Sequence, residues 1–191
     1  MARPRLIVHE VNGFYVALVL REGFLLGNTI PVENPEVAAR LLRESFRRAW
    51  GSVPLLDKGV DGLDVAEEIY RGFLGEPIRI DLRKVRLPPQ DKLRRVVRSL
   101  LLIPRGKVTT YRAVSEVSNV HPRTAGLMLS RNPLPIVYPC HRVVKSDLSL
   151  GGYSYGLDKK VLLLRREGVE VINSKKVSPR NILWSLKEGG C

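Results

Sequence analysis

Apolar runs at residues 5–11, 14–21 and 24–32 are separated by Asn12-Gly13 and Glu22-Gly23, dipeptides suited to tight hairpin turns. This punctuation predicts a three-stranded antiparallel meander. After Asn34-Pro35 the period changes: Val37, Leu41, Leu42, Phe46 and Trp50 recur near helical spacing, with Arg40, Arg43, Arg47 and Arg48 interleaved. An amphipathic helix should therefore cover the sheet. A second apolar series follows over residues 63–74, and residues 77–82 read as another strand. Paired prolines in Leu87-Pro88-Pro89-Gln90 favour extended backbone, which makes this tetrapeptide the expected linker.

Beyond it, residues 91–102 form a basic amphipathic pattern that stops at Pro104-Arg105-Gly106. Thr110 can cap a short helix over 111–117, and Pro122 can open a second one reaching about residue 131. Two short helices joined by a tight turn suggest a helix-turn-helix, although helix pairs also serve many other functions. Asn132-Pro133-Leu134-Pro135 breaks the second helix. Residues 136–144 then read as extended, and Ser146-Asp147 and Gly151-Gly152 mark the turns of a hairpin-like wing. A last helix over 157–166 is closed by Gly168. The pattern gives a mixed α/β (α+β) chain with a first domain over 1–86, a linker at 87–90 and a second domain over 91–191.

With 191 residues and 44% hydrophobic content, the chain can bury a core and is not disordered. Its longest apolar run, residues 14–20, stops at Arg21, well short of the ~20 needed to span a bilayer. No membrane span or signal-peptide pattern is expected, and the chain reads as cytoplasmic. Cys140 and Cys191 supply no disulfide framework; Cys191 sits at a terminus where fraying and no special role are expected. Charge alters the picture more. Lys and Arg number 13 against 12 Asp and Glu up to residue 90, but 19 against 7 beyond it. So uneven a distribution points to a polyanion, with a solvated basic face as the alternative. A single glutamine, Gln90, hints at a heat-adapted host.

Chemistry concentrates in Pro139-Cys140-His141-Arg142-Val143, with Glu167 at the end of the last helix. A thiolate is a strong nucleophile, and a free cysteine titrates near ~8.5, so a reactive one needs a base or positive surroundings. His141 and Glu167 could supply them. Equally, a cysteine beside a histidine occurs by chance, neighbours on a strand face opposite ways, and a buried cysteine is commonly inert.

The run from Asn132 to Val144, Asn-Pro-Leu-Pro-Ile-Val-Tyr-Pro-Cys-His-Arg-Val-Val, resembles the active-site signature of the O6-alkylguanine-DNA alkyltransferases. The likeness extends outward to Tyr111 and Arg123 in the helix pair, to Gly152-Tyr153-Ser154 in the wing, and to residues 164–168 with Glu167. It implies a ribonuclease-H-like N-terminal domain followed by a winged helix-turn-helix domain. It implies stoichiometric, irreversible repair of O6-alkylguanine in double-stranded DNA after the nucleotide is flipped out, and leaves activity on O4-alkylthymine open. Cys140 is then the alkyl acceptor, His141 its base through a water, and Glu167 the group that orients the imidazole. Asn132 is the hinge, and Tyr111 assists the leaving guanine. Arg123 fills the vacated stack, Pro135, Tyr153 and Tyr155 bound the alkyl pocket, and main-chain groups of Ser154, Cys140 and Val143 read the base. No cofactor and no metal are implied, since the Cys and His cluster of zinc-bearing relatives is missing. The protein should act as a monomer. A lesion sensor without an acceptor thiol, or a helix-turn-helix regulator with a packed cysteine, are the competing readings.

Overall fold

The structure is a computed structural model that describes residues 2–186; Cys191 lies outside them. The chain divides into two units, one comprising Met1–Pro89 together with Arg131–Val137, the other Gln90–Ser130 with Tyr138–Cys191. The first crossing from one unit to the other lies between Pro89 and Gln90. Segment Arg131–Val137, assigned by the sequence to the second domain, instead packs with the first.

In the first unit β1 (Arg5–Val11) and β2 (Phe14–Arg21) pair antiparallel in the register Arg5↔Leu20 to Val11↔Phe14. Asn12 and Gly13 take φ 50° and 78°, and Glu22 and Gly23 φ 51° and 77°, the double left-handed geometry that matches strand twist at a two-residue hairpin. The third strand, β3, is shorter than expected. It ends at Asn28 (Phe24–Asn28), because the backbone N–H of Asn28 donates to Pro133 O at 2.9 Å rather than continuing the ladder, and only an isolated bridge joins Tyr15 to Val32. Helix α1 (Pro35–Trp50) begins at Asn34, whose side chain accepts from Val37 N, and buries Ala38, Leu42, Phe46 and Ala49 against β1 and β2. A two-residue strand β4 (Leu55–Leu56), too short to stand out in the sequence, adds parallel to β1 and gives the order β3-β2-β1-β4. Helix α2 (Leu63–Phe73) packs on β1 and β2.

Residues 77–82 do not form the expected strand. The Glu68 carboxylate takes the Arg79 backbone N–H at 2.5 Å, so that donor is withdrawn from any ladder, and a short 3-10 turn follows at Leu82–Lys84.

The second unit opens with α3 (Asp91–Ser99), tightened into a 3-10 turn over Leu100–Leu102. Strand β5 (Val108–Thr110) leads directly into α4 (Tyr111–Val117), and α5 (Pro122–Leu129) follows after four residues. These three helices pack on one another. Strand β6 (Val143–Val144) is parallel to β5, α6 (Leu157–Arg166) ends before Gly168, and β7 (Val171–Ile172) pairs with β8 (Lys176–Val177). Strand β9 (Ile182–Leu183) closes the parallel sheet β6-β5-β9.

The hairpin foreseen around 146–152 is instead a reverse turn, in which Lys145 N reaches Ser149 O at 2.9 Å. Ser149 on this turn pairs with Lys176 through an isolated antiparallel bridge, beside the antiparallel ladder β7-β8. Val108, Val144, Leu150, Val161, Leu164, Val169, Val171 and Val177 form one buried cluster under this sheet and α6. Among the described residues, no helix is long and apolar enough to cross a membrane, and no group of His, Cys, Asp and Glu could hold a metal ion.

Candidate active site

Cys140 does not sit on an extended strand. It opens a 3-10 turn, Cys140–Arg142, in which Cys140 N donates to Tyr138 O at 2.8 Å and Arg142 N to Pro139 O at 3.0 Å. Pro139, which has no N–H to give a ladder, favours the turn over a longer strand. The consequence is geometric: alternation along a strand does not govern where Cys140 and His141 point. Cys140 is half-buried, within reach of solvent, while His141 is buried.

The imidazole is tied down on one side only. His141 Nε2 lies 3.0 Å from Glu167 Oε1 at the end of α6. Arg142 forks onto the same carboxylate, Nε to Oε2 and Nη2 to Oε1 each at 2.8 Å, and is itself held by Ile103 O at 2.6 Å from Nη1. Burial by itself raises the Glu167 pKa, but the facing His141 and Arg142 outweigh it and hold the carboxyl down at about 2. Glu167 is therefore an acceptor only, and the proton between the two residues belongs to His141 Nε2. Burial pushes the His141 pKa below its ordinary value, an effect that Glu167 offsets only in part. The ring is neutral at pH 7, so Nδ1 carries the bare lone pair. That nitrogen is buried and makes no hydrogen bond among the described residues. A neutral, oriented imidazole with one unused acceptor is a general base in waiting.

A second charged group lies beneath the turn. Lys160 is fully buried, and its Nζ donates to Val143 O at 2.6 Å and to Leu150 O. Burial lowers its pKa to about 8, opposed by the negative charge available at Cys140. The sequence reading missed this lysine. Leu157, Lys160, Val161 and Leu164 nevertheless share one helical face, and a lysine on an apolar stripe was the available signal. Arg142 was also missed, although it adjoins the Cys-His pair.

Tyr111, capped into α4 by Thr110, whose Oγ1 accepts from Ala113 N at 3.1 Å, has its phenol pKa raised by burial and by Cys140. Its ring packs on Gly151. A Cβ there would stand 2.9 Å from the Tyr111 hydroxyl, and Gly151 holds φ +67°, so this close approach requires glycine on both counts.

Tyr153 is affected as Tyr111 is, and its buried hydroxyl has no hydrogen-bond partner among the described residues. Its ring lies 5.8 Å from that of Tyr155, centroid to centroid, at a tilt of 44°. Ser154 is exposed between them. Cys140, His141, Glu167, Tyr111, Tyr153 and Lys160 thus belong to one electrostatic neighbourhood, to which Val143 is joined through its carbonyl on Lys160. Arg123 is exposed in the first turn of α5, where its backbone N–H is capped by His121 Nδ1 at 3.2 Å. An open groove of about 770 Å³ runs past Tyr111, Arg112, His121, Pro122 and Lys145. Asn132 and Pro135 fall in the segment grouped with the first unit; Asn132 Oδ1 accepts from Leu134 N at 3.1 Å, and Pro135 O accepts from Asn28 Nδ2 at 2.9 Å.

A family model described as the DNA-binding domain of 6-O-methylguanine DNA methyltransferase matches residues 91–169. A methylated-DNA–protein-cysteine methyltransferase of Methanocaldococcus jannaschii is 34% identical over 175 residues, spanning 88% of this chain and 97% of that protein. One from Pyrobaculum aerophilum is 53% identical over 78 residues, 41% of this chain and 53% of that protein. The crystal structure of O6-methylguanine-DNA methyltransferase from the hyperthermophilic archaeon Pyrococcus kodakaraensis superposes with a TM-score of 0.66 at 28% identity, covering 87% of this chain and 99% of that one.

Proposed function

Because the chain belongs to the methylated-DNA–protein-cysteine methyltransferase family, we propose that it repairs O6-alkylguanine in double-stranded DNA by moving the alkyl group, once and irreversibly, onto Cys140. The observation that carries this reading is the lone pair on His141 Nδ1, left free because Nε2–H is committed to Glu167. Through a water, Nδ1 takes the Cys140 proton. The thiolate attacks the alkyl carbon, a C–S bond forms as the C–O6 bond breaks, and the electron pair leaves with the guanine. Tyr111 stabilises that leaving anion by donating its phenolic proton toward the ring, and Glu167 and Arg142 together hold a neutralised site as the imidazolium forms. Lys160 engages Val143 O, which orients the main chain that reads the base edge.

Flipping exposes the O6 position at a cost of a few kcal/mol, and Arg123 on the exposed start of α5 fills the gap. Asn132 acts as the hinge; Pro135, Tyr153 and Tyr155 bound the alkyl pocket, and Ser154 N meets the base oxygen. The sheet order β3-β2-β1-β4 supports a ribonuclease-H-like first domain, and α4-α5 followed by the turn at 145–149 supports a winged helix-turn-helix.

The test is a duplex bearing O6-methylguanine with an isotopic label on the methyl group, incubated with the protein, digested and mapped by mass. Label is expected on the Cys140 peptide alone, in an amount that never exceeds the protein. Label elsewhere, or turnover beyond one equivalent, overturns the reading.

A further inference from the structure

The segment that precedes the cysteine turn is strained at one residue. Ile136 holds φ +73°, a left-handed conformation in which a β-branched side chain crowds its own backbone. Glycine would adopt it without penalty. Ile136 is only 6% exposed, and Leu134 and Val137 are buried beside it, so the segment cannot relax by swinging outward. Such a conformation persists only where the surroundings over-determine it.

Residues of the first unit do so from two sides. Asn28, at the end of β3, donates its backbone N–H to Pro133 O and its side-chain Nδ2 to Pro135 O, both at 2.9 Å, and Nδ2 also reaches Thr29 O. Its Oδ1 is buried with no hydrogen-bond partner among the described residues. That desolvation is a cost a leucine of similar size would avoid, so what the amide contributes here is its donors. On the other side lies Gly72 of α2. A Cβ at this position would stand 2.5 Å from Ile136 Cγ2 and 2.6 Å from Ile78 Cγ2, closer than carbon atoms approach, so only glycine leaves room for the Ile136 side chain.

We propose that Asn28 and Gly72 are positioning residues that clamp residues 133–136 in the left-handed turn, and thereby set the rate of alkyl transfer rather than the affinity for DNA. This rests on the transfer reading above. The chain from Ile136 to Cys140 is short, and Pro139 removes one of its soft torsions, so an error in the turn is passed on to the nucleophile with little to absorb it. A misplacement of about 1 Å is enough to slow a positioned reaction by roughly a hundredfold.

A double-mutant cycle on the full chain, combining Asn28→Ala with Ile136→Gly, tests the clamp. Asn28→Ala should slow single-turnover methyl transfer at saturating DNA by about tenfold or more, with half-saturating DNA unchanged. In the Ile136→Gly background the same substitution should cost much less, because glycine keeps the positive φ unaided; the packing lost at residue 136 cancels within the cycle. Equal slowing in both backgrounds overturns the proposal, and so does a loss confined to DNA affinity. If Asn28→Ala does not fold, Asn28→Ser, too short to reach Pro135 O, takes its place. Hydrogen exchange at the Ile136 and Val137 amides reads the clamp without any transfer, and should quicken in Asn28→Ala and less so in the double variant. A wild-type protein that leaves Cys140 unlabelled yet shows this coupling defeats the transfer reading and keeps the clamp. A protein that labels Cys140 with additive effects in both measurements defeats the clamp alone.

Discussion

A histidine and an arginine share one carboxylate in this site, and their difference is informative. Arg142 forks onto both Glu167 oxygens, so the carboxylate keeps a guanidinium partner whether or not His141 holds a second proton. With the folded Glu167 pKa at about 2 against an ordinary 4.5, its ionisation contributes stability in full above about pH 4.5, and that contribution is lost as the pH falls toward 2. Glu167→Gln should therefore destabilise the protein at pH 7 by about 3 kcal/mol and flatten the acid limb of its stability curve, measured by thermal denaturation from pH 7 to 2. Parallel acid limbs for the two proteins would mean that Glu167 ionises as readily unfolded as folded. His141 gives a kinetic counterpart. Its pKa is lowered from 6.5, chiefly by burial, so the base stays neutral where a solvated imidazole protonates. Single-turnover transfer should hold level as the pH falls through 6.5, and a decline centred on 6.5 would contradict that.

At the level of helices and strands, α4 is the piece on which Tyr111 depends. Thr110 supplies its N-cap, with Oγ1 on Ala113 N at 3.1 Å, and also ends the central strand β5. Thr110→Ala should cost about 1 kcal/mol of stability, read by denaturant titration, and slow transfer through Tyr111. An unchanged midpoint would show that the strand alone holds the helix start.

Elements like this one were legible in the sequence because their signals are local. The two hairpin turns, the change of period after Asn34-Pro35, the Thr110 cap and the stop at Gly168 each depend on a few adjacent residues. What misled was settled by distant partners. Asn28 leaves the sheet for residues 133–135, Glu68 withdraws the Arg79 N–H from any ladder, and β4 exists only as a two-residue addition to β1. The candidate site divides in the same way. Cys140, His141 and Glu167 stand out through motif and spacing, whereas Lys160 looks like one more solvated charge until α6 buries it under Val143 and Leu150.

Across the whole chain, the excess of basic residues beyond position 90, 19 against 7, sets how binding responds to salt. Affinity for undamaged duplex should fall linearly on a log-log plot against salt, each neutralised phosphate contributing a slope of about −0.9, as measured by fluorescence anisotropy. A flat plot would remove DNA from the role of polyanion. The grouping of Arg131–Val137 with the first unit has a consequence of another kind, in the order of folding. The polypeptide leaves the first unit, returns to it for seven residues, and leaves again, so neither core is built from one contiguous stretch. The sheet beside the cysteine turn is likewise closed by distant pairings, Thr109 with Val143 and with Leu183. High contact order of this sort places closure late and makes it slow. Melting should accordingly be a single transition with equal calorimetric and van't Hoff enthalpies, two separable transitions being the contrary result. On that pathway the reactive thiol is assembled in the final step, and a nascent or partly folded chain carries an unactivated cysteine.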